Sequence, residues 1–324
     1  LKTPAVQLPA ASLLLACAER GYAMAMESYP FGGTLATRSG QGGPFLEDFK
    51  AFHQWSIFLP RALSSDVEEN KVYIDGRHRG NPEFFEQKRA RLQAILSDCN
   101  VLRATGGGFA TASDVVEAIE EVMKAQWIAL GFAENRQFHK AISLGELSVH
   151  LVDALISEQE PRGLLFWQIL CRANVGDFYV RFRRHNEART VLQQALDLVE
   201  AAGPNSAPER VLGGVCLAHL SSIEFRAGEL HEAIKYTDME IEVFDTHLWS
   251  LSPSKEDKEA QAVVLATAFM IRGRCDDAQS RYDNALAWFA RAIECLEKHR
   301  DLSDDIRRIV DMIKDDIDNM KTKQ

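Results

Sequence analysis

The chain holds 324 residues, 46% of them hydrophobic and 26% charged, with a formal net charge of −10. That much apolar matter supports a substantial core and excludes a chain that is disordered as a whole. The acidic balance argues against general nucleic-acid binding, which needs basic surface to displace phosphate counterions, so no nucleic-acid partner is expected.

In chain order, the first feature is the apolar run from Ala10 to Ala18. It falls short of the ~20 residues that a membrane-spanning helix needs, and no membrane partner is expected. The run resembles a signal-peptide core ending in Ala-Cys-Ala. Leu13, Leu14 and Cys17 nevertheless share a face with Met24, and a packed helix is expected there. Because the chain opens on Leu1 rather than Met, targeting is not assessable from it. Residues 29–44 (YPFGGTLATRSGQGGP) form a predicted loop, long enough to carry function. Phe45, Phe49, Phe52, Trp55, Phe58 and Leu59 then give an aromatic helix that stops at Pro60. Val72-Tyr73-Ile74 suits a short extended piece. A further helix starts near Asn81-Pro82, with Phe84, Phe85, Lys88, Leu92, Ile95, Leu96 and Cys99 at three- and four-residue steps. The Thr105-Gly106-Gly107-Gly108 run reads as a hinge.

Beyond the hinge the pattern repeats. Ala141, Ala188, Ala233 and Ala285 each sit near the start of a short amphipathic run, as in Phe138-His139-Lys140-Ala141 and His185-Asn186-Glu187-Ala188. Twelve residues before each alanine stands another small residue: Ala129, Gly176, Ser221 and Gly273. Small residues at both places let two helices cross closely. Larger residues flank them, Ile128 with Phe132, Val175 with Tyr179, Leu217 with Leu220, and Phe269. Leu192 and Ala195 follow Ala188 at offsets of four and seven, as Phe289 and Ala292 follow Ala285. Gly203-Pro204-Asn205 breaks the chain after the second alanine, and Ser206 with Glu209 forms a capping-box pattern for the next helix. Leu251-Ser252-Pro253-Ser254 makes a similar break. At the far end Ile306, Ile309, Val310, Ile313, Ile317 and Met320 form an apolar stripe behind Asp304 and Asp305, expected to cover the open edge of the fourth hairpin.

The four paired small positions resemble the tetratricopeptide repeat (TPR) over roughly residues 113–299, in degenerate form. The intervals between the alanines exceed the family's ~34-residue period, which implies longer helices and loops. Arg272, Glu224, Asp276 and Glu240 stand where the family places apolar or small residues. Asp153, Glu200, Asp245 and Glu297 replace the proline that commonly closes its second helix. The resemblance implies an all-α fold, an α-solenoid of TPR-like hairpins. Residues 1–112 would form an N-terminal helical region acting as a cap, 113–302 the repeats, and 303–324 a C-terminal capping helix.

Signals for chemistry are sparse. The six cysteines (Cys17, Cys99, Cys171, Cys216, Cys275 and Cys295) form no C-x-x-C pair. They read as small buried hydrophobes in a reducing compartment, with neither zinc nor disulfides expected. The nine histidines make no H-E-x-x-H or H-x-x-x-H pair, and His139, His185 and His231 read as exposed turn residues. Glu117, Glu120, Glu121 and the C-terminal aspartates read as solvated surface rather than as tuned acid/base pairs. Neither glycine cluster is followed by the Lys-Ser/Thr pair of a P-loop. No cofactor and no enzymatic activity are expected. The competing class is an enzyme with a site in the glycine-rich N-terminal loops.

The resemblance implies instead a non-catalytic protein-interaction scaffold or adaptor, and by family habit a cytoplasmic structural subunit of a cytoskeletal or ciliary assembly. Its groove-facing positions would be Gln126, Leu130, Glu134, Asp177, Arg181, Arg226 and Arg274. Family members that clamp a terminal carboxylate use lysine and asparagine at places where this chain has Gln126 and Leu130, and only Asn174 matches. Arg181 and Arg226 take equivalent places in successive hairpins, followed by Arg183 and Arg184, and suggest a basic ridge for an acidic segment. The simpler alternative has these arginines pairing along the helix edge with Glu187 and Glu224.

Overall fold

The computed structural model describes residues 82–104, most of 118–155, and 163–203, 207–247, 255–298 and 304–322. The expected helix at 10–18, the loop at 29–44, the aromatic helix, the extended piece at 72–74 and the glycine hinge lie outside the described residues. Among the described residues the regular structure is entirely helical. The helices are α1 (Pro82–Ala104), α2 (Phe138–Leu155), α3 (Gly163–Arg181), α4 (His185–Ala202), α5 (Ala207–Ala227), α6 (Leu230–His247), α7 (Lys255–Ala278), α8 (Tyr282–Glu297) and α9 (Asp304–Lys321). Further helical positions lie between 118 and 133. No described helix is long and apolar enough to cross a membrane.

The chain divides between Gly203 and Pro204 into two compact units. In the first, α1 packs on α2, α2 on α3 and α3 on α4. Its core takes Leu92, Phe132, Leu144, Leu151, Ile169 and Phe178, all fully buried. In the second, α5 packs on α6, α6 on α7 and α7 on α8, while α9 lies against α8 and α7. Ile309, Ile313 and Met320 of α9 are buried. The far-end stripe therefore covers the last hairpin, as its spacing predicts.

One turn recurs four times, and it explains the alanines. At Arg136, Arg183, Gly228 and Ser280 the backbone enters the left-handed region, with φ of 60°, 63°, 83° and 59°. The next residue donates its N–H to a carbonyl five back: Gln137 to Phe132 (2.8 Å), Arg184 to Tyr179 (2.9 Å), Glu229 to Glu224 (2.9 Å) and Arg281 to Asp276 (2.8 Å). This is a Schellman-type close, which satisfies carbonyls orphaned at a helix end. Each alanine N–H then bonds the carbonyl four residues earlier, opening the second helix. All four alanines are fully buried.

Close crossing at the paired small positions is direct. A Cβ at Gly176 would come within 2.4 Å of Leu192, and one at Gly273 within 2.8 Å of Phe289. Gly214 of α5 meets Phe244 of α6 in the same way, and Gly145 of α2 meets Val175 of α3. Each glycine removes a side chain so that a large apolar residue of the facing helix fills the space.

Candidate functional site

The first helices of the hairpins carry the expected groove positions, and the structure places them differently from one another. Gln126 is buried, and the Asn174 amide of α3 donates to its Oε1 at 3.0 Å. One turn along α3, Asp177 is buried and pairs with Arg181 at 2.7 Å. Gln126, Asn174, Asp177 and Arg181 thus form one polar strip inside the first unit, in which Gln126 Nε2 and Asn174 Oδ1 are buried without a hydrogen-bond partner among the described residues. Leu130 and Glu134 lie outside the described residues. Arg226 is exposed in the second unit. Arg274 of α7 is held by Asp316 of α9 at 2.6 Å. Arg181 and Arg226 belong to different units. Arg181 pairs with Asp177 rather than with Glu187, whose carboxylate is taken by Arg184 at 2.7 Å.

Other charged groups tie elements together. Glu121 is buried, with Lys88 of α1 at 2.6 Å and Lys124 at 3.4 Å. This corrects the expectation of a solvated carboxylate there: the partner that brings Glu121 inside lies on α1, far away in sequence. Burial alone would raise its pKa, but the two lysines outweigh that and hold it below the ordinary value. Asp153 of α2 accepts from Gln168 and from Arg172 of α3, each at 2.7 Å. Tyr179 donates its hydroxyl to Glu146 of α2, and burial followed by that carboxylate pushes its pKa up to about 12. These bonds fasten α2 to α3 across their length.

In the second unit Glu224, Glu240 and Asp276 are buried. Asp276, fully buried, is paired by Arg272 at 2.6 Å and by Arg281. Arg272 also reaches Asp238 of α6 at 2.8 Å and lies over the Trp288 ring. Glu240, at 1% exposure, is hydrogen-bonded with Ser221, and burial raises its pKa well above its ordinary value.

The thiols are placed for packing rather than reaction. Cys99, Cys171, Cys216 and Cys275 are buried. Desolvation pushes the Cys171 and Cys216 thiols up to about 12 and those of Cys275 and Cys295 to about 11, which suppresses the thiolate that reacts. Among the described residues no group of three or more His, Cys, Asp or Glu is placed to hold a metal ion. His139 and His231 are exposed at turns, whereas His185 is half-buried. What sequence reasoning passed over is the left-handed turn residue itself. Gly228, five residues before Ala233, marks it, and the same offset reaches Arg136, Arg183 and Ser280.

No protein-family model matches the chain, and no curated protein matches it.

Proposed function

We propose that the chain is a TPR-like helical-repeat protein that works as a non-catalytic scaffold or adaptor, holding segments of other proteins. The observation that carries this reading is the fourfold recurrence of one turn. The same left-handed residue, the same pair of backbone bonds and the same buried alanine stand in each hairpin. Hairpins that bury their apolar sides on neighbours leave broad outer surfaces, and repeat architectures bind other chains there. An α-solenoid arrangement of the hairpins belongs to the same proposal. So does a cytoplasmic place in a large cytoskeletal or ciliary assembly, which rests on family habit.

Two measurements test it together. Proximity labelling with the full chain is expected to return a reproducible set of protein neighbours. A thermal-shift panel of metals, nucleotides and common cofactors is expected to leave the Tm unmoved, since a ligand bound by the native state alone raises it by mass action. A saturable Tm rise with one of those compounds, together with turnover, would refute the scaffold and favour an enzyme.

A further inference from the structure

The turn edge of the first unit gathers cations that no carboxylate among the described residues neutralises. Arg136 and Arg183 occupy the same place in successive turns, and both are exposed. Phe138 stacks on Phe182 with ring centroids 5.7 Å apart, and His139 meets the same Phe182 ring edge-on at 4.5 Å. These ring contacts hold the two turns side by side. Lys140 follows, its ammonium 5.1 Å from the centroid of Phe132 and 5.7 Å from that of Phe85. Among the described residues Arg136, Lys140 and Arg183 make no ion pair, whereas the neighbouring Arg181 and Arg184 are taken by Asp177 and Glu187.

An arginine does not take this backbone position for ease. Left-handed φ strains an L-residue and leaves glycine unstrained; the third hairpin places Gly228 there and the fourth Ser280. Two successive turns keep a charged, exposed residue under that strain, which is the situation in which strain points to function. The surrounding chain is acidic, so a local positive edge stands out in its field.

We propose that this edge docks an acidic polypeptide segment. The arginine forks take carboxylates, and the outer side of the half-buried, stacked Phe138–Phe182 pair takes an apolar side chain. A nucleic acid fits less well, because its dense phosphates ask for more cations than this edge supplies and meet a net-acidic protein beyond it. The inference rests on the reading of the chain as a binding protein and adds the surface used and the chemistry of what it holds.

The test is fluorescence anisotropy of the full chain with a fluorescein-labelled peptide of repeating Glu-Glu-Phe. A Gln-Gln-Phe version is the charge control and oligo-dT the polyanion control. Saturable binding of the Glu peptide is expected, weakening as salt rises. The double variant Arg136→Gly with Arg183→Gly removes the charges while suiting the backbone, so unfolding cannot explain a loss. It is expected to bind roughly tenfold more weakly. Arg136→Lys with Arg183→Lys should fall between, since it keeps charge but loses the planar fork. Absence of Glu-peptide binding, equal binding of the Gln peptide, unchanged binding by the double glycine variant, or displacement by oligo-dT at matched concentration would each overturn the proposal. Proximity labelling separates the two levels. Neighbours shared by wild type and the glycine variant, with the peptide test failed, sink this edge and leave the scaffold standing; no neighbours from either protein sinks the scaffold itself.

Discussion

Gly176→Ala is the sharpest perturbation of the hairpin crossing. An added Cβ would stand 2.4 Å from Leu192 Cδ2 and 2.6 Å from its Cγ, both far inside contact distance. The Leu192 side chain is fully buried, so its branch point has to move and not merely a flexible tip. Overpacking of this kind costs about 1–3 kcal/mol. Alanine in place of glycine within a helix returns up to about 1 kcal/mol. Because two contacts fall below 3.0 Å, the upper part of the cost range applies, and a net loss of about 1–2 kcal/mol is expected. Leu192→Ala alone should cost about 2–5 kcal/mol through lost burial and the cavity left behind. In the double variant the clash is gone and the new methyl sits in that cavity. The two losses should then fall short of additivity by about 2 kcal/mol. Urea unfolding followed by circular dichroism measures all four proteins, and the transition of the unit holding α1–α4 is the one to follow. A neutral or stabilising Gly176→Ala, or strict additivity with Leu192→Ala, would show that α3 and α4 do not cross at this point.

Three further outcomes follow from particular residues. Arg183→Gly should stabilise the first unit by about 0.5–1 kcal/mol, because it relieves left-handed strain at φ 63° at some entropic cost, whereas Arg183→Val should destabilise it; thermal melts rank the three. Glu240, whose folded pKa is raised above its ordinary 4.5 by burial, binds its proton more tightly when native, so its contribution is full below about pH 4.5 and declines as pH rises towards the folded value. The stability advantage of Glu240→Gln over wild type should accordingly grow by about 1.4 kcal/mol per pH unit in that window, and a difference independent of pH would refute the upward shift. Lys88→Met strands Glu121 with the more distant Lys124 and should cost about 2–3 kcal/mol at neutral pH. Since the folded pKa of Glu121 lies below its ordinary value, that cost should shrink as acid titrates the carboxylate, which unfolding at pH 7 and pH 4 compares.

Helix boundaries were legible wherever sequence carries a local steric demand. Each second helix begins three residues before its alanine, at Phe138, His185, Leu230 and Tyr282, because the turn that precedes it has a fixed length. Gly176 and Gly273 were readable as small positions at constant offset from the alanines, but not the large residues they face, Leu192 and Phe289. Glu121 was not. Nothing local distinguishes it from the neighbouring acids, and its burial depends on Lys88 of α1. Gln126 and Asp177 were legible as polar positions on first helices but not as buried ones. Their exposure is decided by Asn174 and Arg181, and such pairings leave no periodic trace.

The same distinction accounts for the residues that break the repeat pattern. The helix position whose carbonyl receives the turn N–H is Phe132 in the first hairpin and Tyr179 in the second, and these side chains are buried. In the third and fourth hairpins that position holds Glu224 and Asp276, also buried. An unpaired carboxylate there would be expelled or protonated. Asp276 instead has Arg272 one helical turn earlier and Arg281 in the turn itself, so the acid and its two cations replace an apolar contact by an ion-paired one that spans the same bend. Glu240 replaces the small apolar residue that Ala195 and Ala292 supply elsewhere, and Ser221 on the facing helix hydrogen-bonds with it while burial raises its pKa. Asp276 and Glu240 are thus each matched by a partner within their own hairpin. Removing one partner alone, as in Arg281→Ala, should damage the fourth hairpin more than any exposed arginine of α8 would, because it strips a buried charge of half its neutralisation. Arg291, exposed over Phe269 and Trp288, is the control for that comparison, and an equal effect on stability at the two sites would contradict the account.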